Sequence, residues 1–130
     1  DAHFGEQDLG CIASAPYASA QAVAQQLEQV LGRAVTLVQS AEKSMQPVQR
    51  VAWCSGGAQS YFEAAIAAGA DVFVTGEISE PQAHLAREMG VAFIAAGHHA
   101  TERYGAPAAA AQVAQAHGIS HVFIDIDNPA

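Results

Sequence analysis

The stretch "GADVFVTGEISEPQAHLAREMGVAFIAAGH", residues 69–98, decides the fold. It contains two copies of one pattern, in which a glycine, six mostly apolar residues and a second glycine follow one another, with a helical pattern between the copies. Two strands joined by a helix favour a crossover connection and parallel pairing. Glu77 and His98 each follow the second glycine of a copy. As parallel neighbours, these strands place both residues at the carboxyl edge of the sheet, where open α/β sheets form binding sites.

The same alternation extends in both directions along the chain. Later strands are predicted at 51–54, 71–75, 91–96 and 121–126, and helices at about 58–68, 80–89 and 101–116. Earlier elements are a strand in "LGCIAS", an amphipathic helix at 19–32 that ends at Gly32, a strand at 34–39 and a loop at 40–49. We therefore predict one α/β domain over residues 1–130, with a mostly parallel or mixed sheet and helices packed on it. The first strand and helix belong either to this sheet or to a flanking layer.

Composition excludes several classes of function. With 51% hydrophobic and 14% charged residues, the chain is suited to one compact core, and its apolar runs are far shorter than the roughly 18 residues of a membrane span. We expect no membrane partner. The net charge of −8, from 13 acidic against 5 basic residues, disfavours nucleic acid. Cys11 and Cys54 form no CxxC motif and are interpreted as free thiols in a reducing compartment, which predicts a cytoplasmic protein.

The segment "GHHATE", residues 97–102, has the spacing of a metal site. His98 and Glu102 are four residues apart at a predicted helix start, so both lie on one face. An imidazole and a carboxylate suit zinc, iron or manganese without distinguishing them. The alternative is an ordinary helix start in which Thr101 is the cap, Glu102 favours the positive end of the helix and the histidines are solvated. The placement of Glu77 at the same edge favours the metal interpretation but does not exclude the other.

Two further motifs allow both a functional and a structural interpretation. In "CSGGAQS", Gly56 and Gly57 lie between a strand and a helix, either as amides that bind an anion or as a tight turn that needs glycine. His84 lies on the helix after Glu77 and either points back to the strand edge or is a surface residue. No serine lies in a nucleophile elbow, and no Ser/His/Asp triad is indicated.

Taken in order, four motifs resemble the Nif-three-like family, whose members are often labelled GTP cyclohydrolase I type 2 homologues. They are "VAWCSGGAQSYFEAA", "GADVFVTGEISEPQAHLARE", "AAGHHATERYG" and "FIDIDNPA". The resemblance covers essentially the whole chain and implies an α/β protein that forms a toroidal homo-hexamer. The family's first half, with a pair of histidines and an aspartate as further metal ligands, has no counterpart in these 130 residues. The chain therefore resembles the C-terminal part of a longer protein, and alone it would hold only a partial metal site.

The resemblance also implies a two-metal site and a role for each candidate residue. The GHxxxE segment would contribute His98 and Glu102 as ligands, with His99 at a variable position beside them. Glu77 and His84 match site-lining positions of the family. We expect a metal-dependent hydrolase or cyclohydrolase acting on a small nucleotide or heterocycle, with Glu77 as a proton carrier and Gly56, Gly57, His84 and His99 lining the substrate. A non-catalytic role in metal binding and delivery, or as an interaction scaffold, is the alternative.

Overall fold

The computed structural model describes residues 2–130 and contains one six-stranded mixed sheet with the strand order β1-β2-β4-β5-β6-β3. The strands are β1 (Ala2–Phe4), β2 (Gly10–Tyr17), β3 (Thr36–Val38), β4 (Val48–Trp53), β5 (Val72–Thr75) and β6 (Ala92–Ala95). The helices are α1 (Ala20–Leu31), α2 (Phe62–Ala67), α3 (Glu80–Met89), α4 (His98–Glu102) and α5 (Gly105–His117). The predicted α/β class is confirmed.

Three parallel strands form the centre of the sheet. β4 pairs in parallel with β5, and β5 with β6, so that Val74 lies between Trp53 and Ile94. The two intervening connections contain α2 and α3, which are the crossovers expected from the sequence. All three strands therefore end at the same edge, and this edge carries the residues discussed below.

Antiparallel strands extend the sheet on both sides. β2 pairs with β4, β1 pairs with β2, and β3 pairs with β6. The first predicted strand thus belongs to the same sheet, and α1 packs on that sheet. The sequence patterns missed β1, and they placed the beginning of β4 in the loop predicted at 40–49.

The two faces of the sheet carry separate apolar cores because consecutive residues of a strand point to opposite faces. Val72, Val74 and Ile94 pack on one face with residues of α1. Phe73 and Phe93 pack on the other face with Phe62 of α2, and their ring centroids are 4.9–5.8 Å apart. A strand that is buried on both faces reads as a continuous apolar run, which is why the central strands were recognised without alternation.

α1 has the ends that the sequence predicted. The Ser19 hydroxyl accepts a hydrogen bond from the amide of Ala22, and Gly32 ends the helix in the left-handed conformation with φ of 70°. Val23, Ala24 and Leu31 are its buried face. The predicted helix at 58–68 is instead a 3₁₀ turn at Gln59–Tyr61 that continues into α2.

The helix predicted at 101–116 begins earlier and is divided in two. α4 begins at His98, directly after Gly97, and α5 begins at Gly105 after an interruption at Arg103 and Tyr104. Thr101 is consequently inside α4 and is not its cap. Gly97, with φ of 99°, occupies the cap position, a backbone conformation that favours glycine.

The prediction of a strand at 121–126 is wrong. Residues 119–130 form no strand or helix, and Val122, Ile124 and Ile126 are 73–80% exposed. The alternating pattern is that of a half-buried strand, but within residues 2–130 no strand pairs with this segment. It is held through polar groups instead, because Arg33 donates to the carbonyl of Pro129 and Arg103 donates to Asp125.

Within the described part of the chain, no helix has both the length and the apolar character needed to cross a membrane.

Candidate functional site

Three loops that follow β4, β5 and β6 meet at the carboxyl edge of the parallel strands. The amide of Gly76 donates to the carbonyl of Gly56 at 2.8 Å, and the amide of Gly97 donates to the carbonyl of Gly76 at 2.9 Å. The backbone of each loop is thus tied to its neighbour beyond the last residues of the strands. This arrangement fixes the starting points of the functional side chains.

Two threonine hydroxyls add further connections between these loops. Thr75, which is 1% exposed, donates to the carbonyl of Gly56 at 3.0 Å and accepts from the amide of Ala58 at 3.3 Å. Thr101 accepts from the amide of Gly56 at 2.9 Å and donates to the carbonyl of His98 at 3.0 Å. The Gly56 loop is therefore bonded to β5 and to α4 at once.

Gly56 and Gly76 are glycines for steric reasons. Gly56 has φ of 70°, and a methyl group there would collide with the carboxylate of Glu102. A methyl group at Gly76 would lie 2.6 Å from the carbonyl oxygen of Gly56 and 2.7 Å from Cα of His98. Because the Gly56 amide already bonds to Thr101, the structure favours the tight-turn interpretation of the GG motif over an anion cradle at this amide.

The imidazole of His98 lies between two carboxylates. Its Nδ1 is 2.5 Å from Oε1 of Glu77, and its Nε2 is 3.2 Å from Oε2 of Glu102. All three side chains are 40–52% exposed, so small molecules and ions can reach them. The prediction that Glu77 and His98 meet at one edge is confirmed, and Gly56 lies at this edge as well. Gly57 also lies there, since a methyl group on it would be 3.5 Å from both Glu77 and His98.

These contacts shift two protonation equilibria. The hydrogen bond to Glu77 is the largest influence and raises the pKa of His98, desolvation opposes it, and the charge of Glu102 raises it further. The same hydrogen bond lowers the pKa of Glu77. The lowered pKa favours an ionised Glu77, which accepts a hydrogen bond from Nδ1–H of His98.

The facing atoms of His98 and Glu102 can share either a proton or a cation. When the Nδ1–H of a neutral imidazole donates to Glu77, the Nε2 atom carries a lone pair that faces the Glu102 carboxylate. A proton on Nε2 makes this contact an ion pair, as the raised pKa of His98 favours, and a metal ion would take the place of that proton. Two ligands of one zinc ion, each at about 2.1 Å, are separated by roughly 3.0–3.4 Å, which agrees with the observed 3.2 Å.

The described residues do not by themselves form a complete metal centre. Nowhere in residues 2–130 do three or more His, Cys, Asp or Glu side chains form a group arranged to hold a metal ion. Glu77 occupies the Nδ1 side of His98 rather than the face shared with Glu102. The chain thus offers one pair of converging donors with the remaining positions open.

The other two predicted histidines lie outside this cluster. His84 is largely exposed on α3, and its Nε2 is 3.8 Å from Oε1 of Glu80. His99 turns toward the C-terminal segment, where its Nε2 is 3.2 Å from Oδ1 of Asp125. The structure places neither imidazole against Glu77 or Glu102.

Sequence reasoning missed two residues that support the cluster. The side-chain amide of Gln59 donates to Oε2 of Glu77 at 3.4 Å, and Thr75 connects β5 to the Gly56 loop. Gln59 follows the GG pair at the predicted edge, and this position was the available signal. Cys54 also lies near this edge, but burial raises the pKa of its thiol, which disfavours a nucleophilic thiolate.

The fold and this cluster define an α/β protein with a candidate divalent-cation site at the carboxyl ends of its parallel strands. The sequence profile of the Duf34/NIF3 (NGG1p interacting factor 3) family matches residues 2–129. The chain belongs to this family.

Known proteins that resemble the chain agree with this assignment. A Neisseria meningitidis serogroup B protein named GTP cyclohydrolase 1 type 2 homolog is 48% identical over 128 residues, which are 98% of this chain and 50% of the relative. A Pseudomonas aeruginosa protein of the same name is 51% identical over 82% of this chain and 41% of its own length. The solved structure of protein ybgI, described as of unknown function, has a TM-score of 0.87 and 40% identity over 95% of this chain and 50% of that one. The chain thus spans about half the length of the relatives it matches.

Proposed function

We propose that this chain supplies His98 and Glu102 as ligands of a site for two divalent cations. The observation that carries the proposal is the pair of facing acceptors, Nε2 of His98 and Oε2 of Glu102, 3.2 Å apart. The chain corresponds to about half of its relatives, so the remaining ligands are assigned to the other half of a longer protein.

We further propose that the complete protein is a hydrolase or cyclohydrolase that acts on a small nucleotide or heterocycle. The names of the relatives support this class of substrate, and the open edge beside His98 provides access to it. Bound divalent ions supply polarisation of the substrate and a hydroxide near neutral pH in sites of this kind. Glu77 is the nearest further carboxylate and is assigned as a proton carrier through its contact with His98.

The loop that contains Gly56 and Gly57 leaves space for a substrate beside the cluster. Gly57 is exposed next to Glu77 and His98 and leaves room for a ligand there. Gly56 keeps the space of the Glu102 carboxylate free. His99 lines the same pocket as His98 and Glu102 and contacts Asp125, whereas His84 contacts Glu80 on α3.

Turnover by the metal-loaded, full-length protein tests this function. GTP and other nucleotides are supplied, and product is followed by chromatography. The expected result is turnover that is lost in Glu77→Gln at a metal concentration that saturates both proteins. Retained metal without turnover of any nucleotide or heterocycle would identify the non-catalytic alternative, a protein that binds and delivers metal or acts as a scaffold.

A toroidal homo-hexamer is proposed as the assembled form. Its support in this chain is apolar surface that one copy leaves open. Val30, Val113, Val122 and Ile124 are 52–80% exposed, and exposed apolar side chains of this size promote association when they are grouped.

A further inference from the structure

We propose that Glu77 is a positioning residue that selects the tautomer and ring orientation of His98 for cation binding at Nε2. The inference rests on the proposed metal site and assigns Glu77 a role separate from proton transfer. Its basis is the 2.5 Å contact between Nδ1 of His98 and Oε1 of Glu77.

A free histidine has two ring nitrogens that exchange the proton between them, and only the deprotonated nitrogen binds a metal. Glu77 accepts a hydrogen bond at Nδ1, so the proton of the neutral ring resides there. The lone pair is then on Nε2, the atom that faces Glu102. Metal-bound histidines are commonly oriented in this way by a carboxylate on their second nitrogen.

Glu77 is itself held in place from the opposite side. The Nε2 amide of Gln59 donates to Oε2 of Glu77 at 3.4 Å, so the two carboxylate oxygens have different partners. A flipped amide of Gln59 would place two acceptors against each other, so the contact with Glu77 favours the orientation described. Backbone hydrogen bonds join the loops of Gly56, Gly76 and Gly97. They hold the side chains of Gln59, Glu77 and His98 next to one another.

The first test follows the ring of His98 in the metal-free chain by ¹⁵N-detected NMR, at a pH above the imidazole transition. In the unaltered chain, the Nδ1–H form is expected to dominate. Glu77→Leu removes the acceptor and is expected to shift the population toward the Nε2–H form, which predominates in free histidine. Glu77→Gln keeps an acceptor oxygen and should restore the Nδ1–H form in part. Glu88→Leu, an exposed glutamate on α3, is the matched control.

The second test measures zinc or manganese binding by titration calorimetry on the same variants of the full-length protein, because this chain alone supplies only two donors. Glu77→Leu is expected to weaken binding by about 10–100-fold, as outer-sphere partners of metal ligands typically do, with a smaller loss for Glu77→Gln and none for Glu88→Leu. Far-ultraviolet circular dichroism confirms that each variant is folded.

The two proposals fail in different ways. If the unaltered chain binds metal through His98 but Glu77→Leu changes neither the tautomer nor the affinity, the positioning role is overturned and the metal site stands. If His98→Ala leaves metal binding unchanged, the proposed site itself is wrong. An unchanged tautomer in Glu77→Leu would overturn the positioning role even where the affinity falls.

Discussion

Nδ1 of His98 lies 2.5 Å from Oε1 of Glu77, although 21 residues separate the two along the chain. Their approach follows from the parallel, in-register pairing of β5 and β6, which ends both strands at the same height. β5 is followed by Gly76 and Glu77, whereas β6 is followed by Ala96, Gly97 and His98. The strand pairing is thus shifted by one residue from the repeat, and the extra residue after β6 still brings His98 beside Glu77.

Replacement of His98 by alanine should abolish specific metal binding. The loss should exceed about 100-fold, because removal of a ligand costs at least as much as removal of its outer-sphere partner. Titration calorimetry with zinc or manganese on the full-length protein measures it, because this chain alone supplies only two donors. His117→Ala, at the exposed end of α5, is the control and should bind as the unaltered chain does. Equal affinity in His98→Ala and the unaltered chain would contradict the assignment.

Metal affinity should depend on pH with a defined sign. A metal requires neutral His98, so affinity is complete above the raised pKa of this residue and falls as the pH decreases through it. Because that pKa lies above the ordinary histidine value, proton competition begins at a higher pH than for a free imidazole. Dissociation constants measured over a pH series should show this, and Glu77→Gln should move the transition to lower pH. An affinity that is constant through the imidazole range would disprove it.

In the metal-free chain, the stability contribution of His98 falls as the pH rises, whereas its metal affinity rises. The folded-state pKa of His98 is raised, so its contribution to the free energy of unfolding is complete below the unfolded-state pKa and is lost as the pH rises through the folded-state pKa. Urea denaturation of unaltered and His98→Ala chains at a series of pH values should reveal a difference that shrinks on the alkaline side. A difference that grows with pH in this range would be inconsistent with the ion pairs described.

Thr75→Val should destabilise the fold by about 1–3 kcal/mol, because the isosteric valine leaves the amide of Ala58 without its acceptor and removes one donor from the carbonyl of Gly56. Urea denaturation measures the change. The matched control is Thr36→Val on the exposed side of β3, which should alter the free energy of unfolding by less than about 0.5 kcal/mol. Equal effects at the two positions would show that the buried hydroxyl has no special role.

Gly76→Ala should cost about 1–3 kcal/mol or more and should also disturb the cation site, because the added methyl group overlaps both the Gly56 carbonyl and His98. Gly105→Ala provides a paired comparison: no atom lies within 4 Å of the new methyl group, and stability should be unchanged or rise by up to about 1 kcal/mol. Thermal and urea unfolding report both variants. A neutral Gly76→Ala would mean that the three loops can separate without penalty.

The chain should associate in solution into a dimer or a larger oligomer. Light scattering coupled to size exclusion measures the mass, and Ile124→Asp should reduce association because it places a charge among exposed apolar side chains. Ser120→Asp adds the same charge to the same segment without removing apolar surface and serves as the control. A monomer at high concentration would count against the proposed ring.

The sequence predicted the buried central strands better than the edge and terminal segments. The strands around 71–75 and 91–96 were recognisable because burial on both faces makes them continuously apolar. The segment 121–126 carries an equally clear alternating pattern, but a pattern reports which residues suit a strand and not whether a partner strand is present. β1 has three residues and one buried side chain, which is too little signal to detect.

The candidate site was predictable in part for similar reasons. Helix spacing relates His98 to Glu102, and the matched repeat relates Glu77 to His98. The sequence therefore predicted that these three side chains lie close together. Two further contacts depend on how the loops fold over the strand ends. They are the hydrogen bond from Gln59 to Glu77 and the two hydrogen bonds of the Thr75 hydroxyl with the Gly56 loop. Both interpretations of His84 stayed open in the sequence, because helix periodicity does not determine whether a surface side chain turns toward the sheet edge or toward a neighbour such as Glu80.

The strand β3 has a consequence for how copies of the chain can join. It forms the edge of the sheet beside β6 and contains only three residues, Thr36–Val38. An edge this short offers few free backbone groups for another strand, and such edges protect a sheet from growth by strand addition. Copies that meet on this side must therefore recognise each other by the shape and chemistry of their side chains, which makes a closed assembly of fixed size more accessible than an open-ended fibre.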